Sequence, residues 1–259
     1  MDTQKIVFIR HGQSTWNQEN KFTGWVDVPL TERGTTEARD GGIALSQSGI
    51  VFDKAYTSVL KRAVKTCNII LEQMDQQYVQ VEKDYRLCER MYGSLAGLNK
   101  QETVDKHGID QVMIWRRSYD VPPPKAEITH EFHPSKISAF VGLDPELIPQ
   151  SESLKDTLER VLPYWTSVIE PDIKSGKMLL VAAHGNSIRA IIKHLDNIPE
   201  DVITKIDIPT GVPLQYELNK ATMKPIPQEG SAKHLSGKYL IDESQLAAKI
   251  AEVKHQTKA

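Results

Sequence analysis

Two apolar runs in this chain end in the same way, and that repetition limits the folds open to it. KIVFI (5–9) is followed by Arg-His-Gly, and KMLLVAAHGNSIRAIIKHL (177–195) passes from an apolar run through His-Gly into a helical pattern. Continuous apolar runs rich in β-branched residues are typical of strands buried on both faces. Strand and helix patterns alternate along the chain. We therefore predict an α/β fold with an open, mostly parallel sheet, helices on both faces and right-handed crossovers.

Several further elements follow from local patterns. TERGTTEARDGGIALSQSG (31–49) reads as a helix, FDKAYTS (52–58) as a buried strand, and YVQVEKDYRL (78–87) as an edge strand. Ser58 is predicted to cap the helix that follows it. Ser153 and Asp156 form a capping-box pattern ahead of a long amphipathic helix.

Composition narrows the class of protein. The formal charge of −2 gives no reason to expect nucleic acid or an anionic membrane as a partner. The two cysteines, Cys67 and Cys88, suggest neither a disulfide framework nor a CxxC metal site. There is no signal-peptide pattern and no apolar stretch near the roughly 18 residues of a membrane span, so a cytoplasmic protein is expected.

We predict one domain over residues 1–259, with no internal repeat. The segment 118–153 is rich in proline and turn residues, and is predicted to be a long insertion over the active site. The segment 230–259 is predicted to be a mobile tail. From 233 onward it carries more lysine than acid, which suits a lid over phosphates, although an ordinary disordered terminus fits the composition as well.

The two His-Gly pairs are candidates for one site. Open α/β sheets bind ligands outside the carboxyl ends of their strands, so His11 and His184 could face each other there. Glycine after each histidine would let a ligand approach the backbone, and Ser14 and Asn186 could cap the helices that follow. The bland interpretation is two unrelated surface histidines. Their equivalent positions, with Arg10 attached to one, favour a site.

Arginine and glutamate positions suggest phosphoryl chemistry. Arg62 lies in the first turn of a helix that follows a strand, where the macrodipole disfavours a cation. With Arg10 it could clamp a phosphoryl group and keep His11 neutral and nucleophilic. Glu89, just after the edge strand, could supply the proton that a leaving alkoxide needs. A solvated Arg62 and a surface ion pair at Glu89 would fit the same local sequence.

Other catalytic motifs are absent. The chain has no GxxxxGK[ST], HExxH or GxSxG motif. Its remaining histidines lack metal-ligand spacing, so no metal is predicted.

Seven segments resemble one family, the 2,3-bisphosphoglycerate-dependent phosphoglycerate mutases of the histidine phosphatase superfamily. The resemblance runs from about residue 4 to 220, through FIRHGQSTWNQENKFTGWVDVPLTERG, AYTSVLKRAVKT, ERMYGSLAGLNK, WRRSYDVPPP, SESLKDTLERVLPYW, AAHGNSIRAIIKHLDN and IPTGVPLQYEL. It implies a glycolytic and gluconeogenic isomerase that interconverts 3-phosphoglycerate and 2-phosphoglycerate without a metal. It also implies 2,3-bisphosphoglycerate as cofactor and a homodimer or homotetramer.

The resemblance assigns roles to individual residues. His11 would be the phosphorylated nucleophile, Glu89 the general acid and base, and Arg10, Arg62 and His184 would surround the transferring phosphoryl group. The remaining assigned residues would bind substrate: Ser14, Asn17, Thr23, Gly24, Tyr92, Lys100, Arg116, Arg117, Gly185 and Asn186. Several cations beyond the reacting centre suit a trianionic three-carbon acid.

Rival functions stay open. Bisphosphoglycerate mutase typically carries Cys-Ser where this chain has Thr23-Gly24, and Gly24 leaves that space open. A simple phosphatase and a non-catalytic phospholigand-binding scaffold also remain compatible with the sequence. The chain departs from the family at Cys88, Met91, Gln18 and segment 125–150, but none of these removes a proposed catalytic group.

Overall fold

A six-stranded sheet forms the centre of the computed structural model, which describes residues 2–255. The strand order is β3-β2-β4-β1-β5-β6. Strands β3, β2, β4 and β1 are mutually parallel, β5 is antiparallel to β1, and β6 is antiparallel to β5. This confirms the predicted fold class. The strands are β1 (Thr3–Arg10), β2 (Lys54–Thr57), β3 (Gln80–Lys83), β4 (Leu179–Ala183), β5 (Leu214–Asn219) and β6 (Lys238–Tyr239).

Helices cover both faces of the sheet. They are α1 (Thr15–Gln18), α2 (Glu32–Gln47), α3 (Lys61–Gln73), α4 (Lys100–His107), α5 (Ile109–Arg117), α6 (Leu154–Tyr164), α7 (Glu170–Lys174), α8 (Gly185–Asp196), α9 (Glu200–Ile203) and α10 (Glu243–His255). Alternate β1 residues point to opposite faces. Ile6 and Phe8 pack in the cluster of α6 and α8, while Val7 and Ile9 pack in the cluster of α2 and α3.

The register of β1 and β4 brings the two His-Gly turns together. These strands are parallel neighbours, with Arg10 opposite Ala183, and the His11 N–H donates to the Ala183 carbonyl at 3.0 Å. The segments that follow β1 and β4 therefore leave the sheet at the same edge, as the sequence predicts. Ser14 caps α1, and its hydroxyl accepts from the Asn17 N–H, also as predicted.

Two predicted caps are wrong. Helix α3 begins at Lys61, not directly after Ser58, because the Ser58 hydroxyl accepts from the Leu60 N–H and the chain stays extended there. Asn186 does not cap α8, which already starts at Gly185. The backbone N–H of His184 donates to the Ser187 hydroxyl at 3.2 Å, which stabilises this earlier start.

The edge strand is shorter than predicted. Only Gln80–Lys83 of the expected 78–87 pairs as a strand, although it does lie at the sheet edge. The Asp84 side chain accepts from the Arg86 N–H, and a 3-10 turn over Tyr85–Leu87 replaces the last residues. That turn redirects the chain toward Glu89.

The insertion 118–153 contains only short 3-10 turns and packs through aromatic rings. Phe140 stacks on Trp25 with ring centroids 4.8 Å apart, and Phe132 meets Trp16 edge-on at 5.1 Å. Phe140 and Trp25 share an apolar cluster with Cys88. The insertion thus packs beside the backbone that leads to Glu89.

The described part of the tail ends in α10, which lies against α2. Lys249 pairs with Glu37 at 3.4 Å, and Arg33 pairs with Glu252. A lid formed by 230–259 stays a prediction, and residues 256–259 lie outside the described residues. Within 2–255, no helix has the length and apolarity needed to cross a bilayer.

Candidate active site

His11 and His184 lie beside each other at the carboxyl edge of the sheet. Their ring centroids are 5.0 Å apart, and both residues are buried. The two strands that precede them, β1 and β4, are adjacent in the sheet. The backbone therefore brings the two residues close together, and only the side-chain torsions remain to set the distance between the rings. The structure therefore brings together the two histidines singled out by the sequence.

Hydrogen bonds define the state of the His11 ring. Nδ1 lies 2.7 Å from the Gly12 carbonyl, which can only accept, so the proton is assigned to Nδ1. Nε2 then holds a lone pair and accepts from Arg62 Nε at 3.3 Å. Burial first, and then the charges of Arg62 and Arg10, keep the pKa of His11 well below its ordinary value. A neutral imidazole with Nε2 unprotonated is the form that can act as a nucleophile.

His184 is held next to this nucleophile by Ser58. The Ser58 hydroxyl lies 2.7 Å from His184 Nε2, while Nδ1 is buried with no hydrogen-bond partner among residues 2–255. Burial, followed by the charges of Arg62 and His11, lowers the pKa of His184 well below its ordinary value. A buried ring nitrogen without a partner is costly, and a ligand oxygen would relieve that cost.

Arg62 is fixed on three sides. Besides the bond to His11, its Nη1 donates to the Val26 carbonyl at 2.8 Å and its Nη2 to the Gly24 carbonyl at 2.7 Å. Burial is the main cause that lowers its pKa to about 10. It is the second residue of α3, which confirms the first-turn position that the sequence predicts.

Arg10 is the second arginine whose charge acts on His11, and it also lines the cavity. Its Nη1 donates to the Ile208 carbonyl at 2.8 Å, and its Nε is buried without a partner in the described part of the chain. Two guanidinium groups therefore flank His11, as expected, and one of them retains an unsatisfied donor.

Glu89 lies against the start of α8. Its Oε1 accepts from the backbone N–H of Asn186 at 3.2 Å and from that of Arg90 at 2.7 Å. The indole N–H of Trp25 donates to the Glu89 backbone carbonyl at 2.6 Å. Backbone and carboxylate are thus held separately, and the carboxylate faces the cavity that contains His11.

The glycines after the two histidines differ in what surrounds them. A Cβ on Gly12 would lie 2.0 Å from the Gly34 carbonyl oxygen, so packing against α2 requires a glycine there. A Cβ on Gly185 would meet the Arg10 guanidinium at an ordinary 3.6 Å, and Gly185 lines the cavity. Close backbone contact is thus a reason for Gly12 that the sequence does not show, and ligand approach at both glycines stays a prediction.

The cavity encloses about 110 Å³, and α4 and α5 contribute three cations to its lining, Lys100, Arg116 and Arg117, which are called the far wall below. This volume is small beside the roughly 300–1,000 Å³ of common ligand clefts, so a small ligand fits best. Burial, and then the charges of Arg116 and Arg10, lower the pKa of Lys100 to about 7. The predicted residues that line the cavity are Arg10, His11, Asn17, Thr23, Gly24, Arg62, Glu89, Tyr92, Lys100, Arg116, Arg117, Gly185 and Asn186.

Two predicted site residues lie behind the cavity wall. Ser14 is buried, and its hydroxyl donates to Asn17 Oδ1 at 2.9 Å, so it orients a residue that does line the cavity. His184 is not among the lining residues, and its ring contacts the ring of His11, which is one of them. No residue of 118–153 is among the lining residues in the described chain.

Some lining residues were not predicted. These are Lys21, Phe22, Arg189, Asp207 and Ile208. Arg189 had a signal in the sequence, because it follows Gly185 by four residues and shares its face of α8. Within residues 2–255, no group of three His, Cys, Asp or Glu side chains is placed to hold a metal ion.

These features describe an α/β fold with a cation-rich cavity beside two histidines at the carboxyl edge of its sheet. The family model for the histidine phosphatase superfamily (branch 1) matches residues 6–140, just over half of the 259 residues. The chain belongs to that superfamily, and it is an enzyme of phosphatase or mutase type.

Solved structures with this fold include enzymes of both types. A mycobacterial glucosyl-3-phosphoglycerate phosphatase superposes with a TM-score of 0.66 at 20% identity, covering 86% of this chain and 96% of its own. A phosphoglycerate mutase from Bacillus anthracis gives 0.63 at 22% identity, covering 87% and 93%. An alpha-ribazole phosphatase from Shigella flexneri gives 0.63 at 18%, covering 86% and 93%. At these identities the likeness establishes the shared fold.

Proposed function

We propose that this enzyme is a phosphoglycerate mutase that interconverts 3-phosphoglycerate and 2-phosphoglycerate through phosphorylated His11, without a metal. The observation that carries the proposal is the number of cations that line one small cavity. Arg10 and Arg62 lie next to His11, and Lys100, Arg116 and Arg117, from α4 and α5, line the same cavity. A single phosphate at His11 needs only the first pair. A small acid with a second anionic group would engage both sets.

The same donors fit 2,3-bisphosphoglycerate as cofactor. Arg10 lines the cavity and its buried Nε has no partner among the described residues, so an oxygen of a polyanion could accept from it. Arg10, Arg62 and His184 would hold one phosphate, and Lys100 and Arg116 the other. The bound cofactor would supply the phosphoryl group that primes His11.

The residues act mainly by position and charge. Nε2 of His11 forms the bond to phosphorus as the oxygen–phosphorus bond of the donor breaks. Glu89 gives its proton to the leaving alkoxide and takes it back from the attacking hydroxyl in the return step. Arg62, fixed by the carbonyls of Gly24 and Val26, stabilises the charge on the transferring group without having to move.

A phosphatase is the second candidate, since two of the superposed enzymes are named as phosphatases. In that reaction water would replace the second hydroxyl, and the far wall would serve only to select substrate. Bisphosphoglycerate mutase is a third candidate that uses the same groups. Gly24 favours the mutase over it, because a serine side chain at this position would crowd Tyr92.

The test is to incubate the pure protein with 2,3-bisphosphoglycerate and map acid-labile phosphate by mass spectrometry. Conversion of 3- to 2-phosphoglycerate is then assayed with EDTA present. We expect phosphate on His11, none in His11→Asn, and isomerisation in EDTA. Labelling without isomerisation would indicate a phosphatase or a bisphosphoglycerate mutase. No label on His11, or strict dependence on a divalent metal, would overturn the proposal.

A further inference from the structure

Arg189 is a buried cation that faces the cavity with few partners. It lies in the second turn of α8, is 7% exposed and lines the cavity beside Asp207. Among residues 2–255 its Nε has no hydrogen-bond partner, and its Nη1 reaches the Ile206 carbonyl only at 3.5 Å. A buried guanidinium carries five donors, so this one is poorly satisfied by the protein.

Arg117, on the same wall, differs in this respect. Its Nη1 and Nη2 both donate to Asp207 Oδ1 at 3.1 Å, and Nη1 also reaches the Thr204 carbonyl at 3.3 Å. These bonds turn the end of the Arg117 side chain toward the segment that joins α9 to β5. Its hydrogen-bonding capacity is largely used within the protein, although its charge still acts on the cavity.

The side chains around Arg189 carry more positive than negative charge. Burial, then the charges of Arg117 and Arg90, lower its pKa to about 10. Asp207 offsets part of this repulsion, but its carboxylate already accepts from Arg117. Buried charges in proteins are normally paired with opposite charges. Arg189 is buried at a cavity wall among other arginines, and a bound anion that accepts its hydrogen bonds best explains this placement.

We propose that Arg189 directly binds the anionic group of the ligand that lies farther from His11, while Arg117 braces the 204–208 segment. The ligand class is a small organic phosphate that carries a second oxyanion. Arg189 is thus a specificity-determining residue, separating such ligands from simple phosphomonoesters. This inference rests on the proposed function only in placing the reacting phosphate at His11.

Binding in the inactive His11→Asn background tests this without turnover. Three probes are titrated by calorimetry: inorganic phosphate, 2-phosphoglycolate, whose second group is a carboxylate, and propane-1,3-diol bisphosphate, whose second group is a phosphate. We expect Arg189→Gln to raise the Kd of at least one two-anion probe by about tenfold or more, and that of inorganic phosphate by less than about twofold. The probe affected identifies the group as phosphate or carboxylate.

Two further variants keep the test decisive. Arg189→Lys retains the charge but loses the planar fork, so we expect an intermediate loss, and it replaces Arg189→Gln should the latter fail to fold. Arg117→Gln is the comparison variant: it lowers the charge of the same wall, so we expect a selective loss smaller than that of Arg189→Gln. Equal weakening of all probes, no weakening, or a selective loss in Arg117→Gln at least as large as in Arg189→Gln would overturn the inference. Absence of phosphate on His11 in the unaltered enzyme would instead refute the proposed function, and leave this binding result interpretable.

Discussion

Arg160 and Glu152 form a buried ion pair behind the backbone that carries Glu89, with 2.6 Å between Arg160 Nε and Glu152 Oε1. Glu152 Oε2 accepts from the Met91 N–H at 2.9 Å, and Arg160 Nη2 donates to the Glu89 carbonyl at 3.1 Å. The pair therefore holds the chain on both sides of Arg90. It fixes where the Glu89 carboxylate can reach.

Breaking this pair from one side should be costly. Arg160→Met leaves the Glu152 carboxylate buried without its cation, and we expect the free energy of unfolding to fall by about 3–5 kcal/mol in urea titrations. The double variant Arg160→Met with Glu152→Leu removes both charges and should lose less than the sum of the two single changes. Strict additivity would show that the two side chains do not interact.

Because His11 and His184 are buried, we expect the free energy of unfolding to decrease as the pH is lowered. Their pKa values are lowered in the folded state, so below the unfolded value of about 6.5 the unfolded chain binds protons that the folded chain does not. Stability is retained above that pH and is lost as the pH falls, by up to about 1.4 kcal/mol per pH unit for each histidine.

Urea titrations at pH 7.5 and pH 5.5 measure this loss. His11→Asn should make the difference in the free energy of unfolding between the two pH values smaller, because one of the two titrating histidines is removed. The double variant His11→Asn with His184→Asn should make that difference smaller still. His107→Asn, on the exposed end of α4, is the matched surface control. An unchanged pH dependence in the double variant would contradict the expectation.

Lys100 predicts proton uptake on anion binding. Burial lowers the pKa of Lys100 to about 7, so at pH 8.5 we expect much of the protein to carry a neutral amine there. A bound anion favours the ammonium form and raises that pKa, so binding should draw a proton from the buffer. Calorimetry with 2-phosphoglycolate in buffers of different ionisation enthalpy measures the uptake, which should be smaller in Lys100→Met. Equal uptake in both proteins would exclude Lys100 as the acceptor.

We expect the substitution Gly24→Ser to affect activity more than stability. Its φ is +57°, and an added Cβ would lie 3.2 Å from the Tyr92 nitrogen and 3.3 Å from the Arg90 carbonyl oxygen. Gly24→Ser should lose about 1–2 kcal/mol of stability from the left-handed backbone. It should also push on the segment of chain that holds Glu89, lowering kcat.

Gly49→Ser is the control for Gly24→Ser. Gly49 has a similar φ of +66° but no atom within 4 Å of an added Cβ, so it carries the backbone cost without the contact. Thermal unfolding and steady-state kinetics on both variants separate the two effects. The same kcat in both would show that crowding at Tyr92 does not matter.

Much of the site could be predicted because its residues follow strand ends. His11 and His184 come directly after apolar runs, and parallel strands bring such positions to one edge. Arg62 could be predicted as a site residue because the helix macrodipole disfavours a cation in the first turn, so its position there suggests a role other than helix stability. The antiparallel arrangement of β5 and β6 was not predicted, because β6 is only two residues long and has no readable period.

Contacts between distant segments set the limits of prediction. Ser58 reads as a helix cap, yet its hydroxyl contacts His184 from 126 positions away. The sequence analysis does not single out Asp207, and only the fold shows that its carboxylate accepts from Arg117. Such roles depend on which segments meet, and local periodicity does not carry that information.

The contact between Gly12 and Gly34 has a consequence for recognising this site in other chains. A Cβ on Gly12 would lie 2.0 Å from the Gly34 oxygen, and a Cβ on Gly34 would lie 2.0 Å from the Gln13 oxygen. Neither position tolerates a side chain, whatever stands at the other. A His-Gly motif after a buried strand is therefore an incomplete signature. The fuller one adds a second glycine near the start of the next long helix, because a Cβ at Gly34 would overlap the carbonyl oxygen of Gln13, two residues after His11.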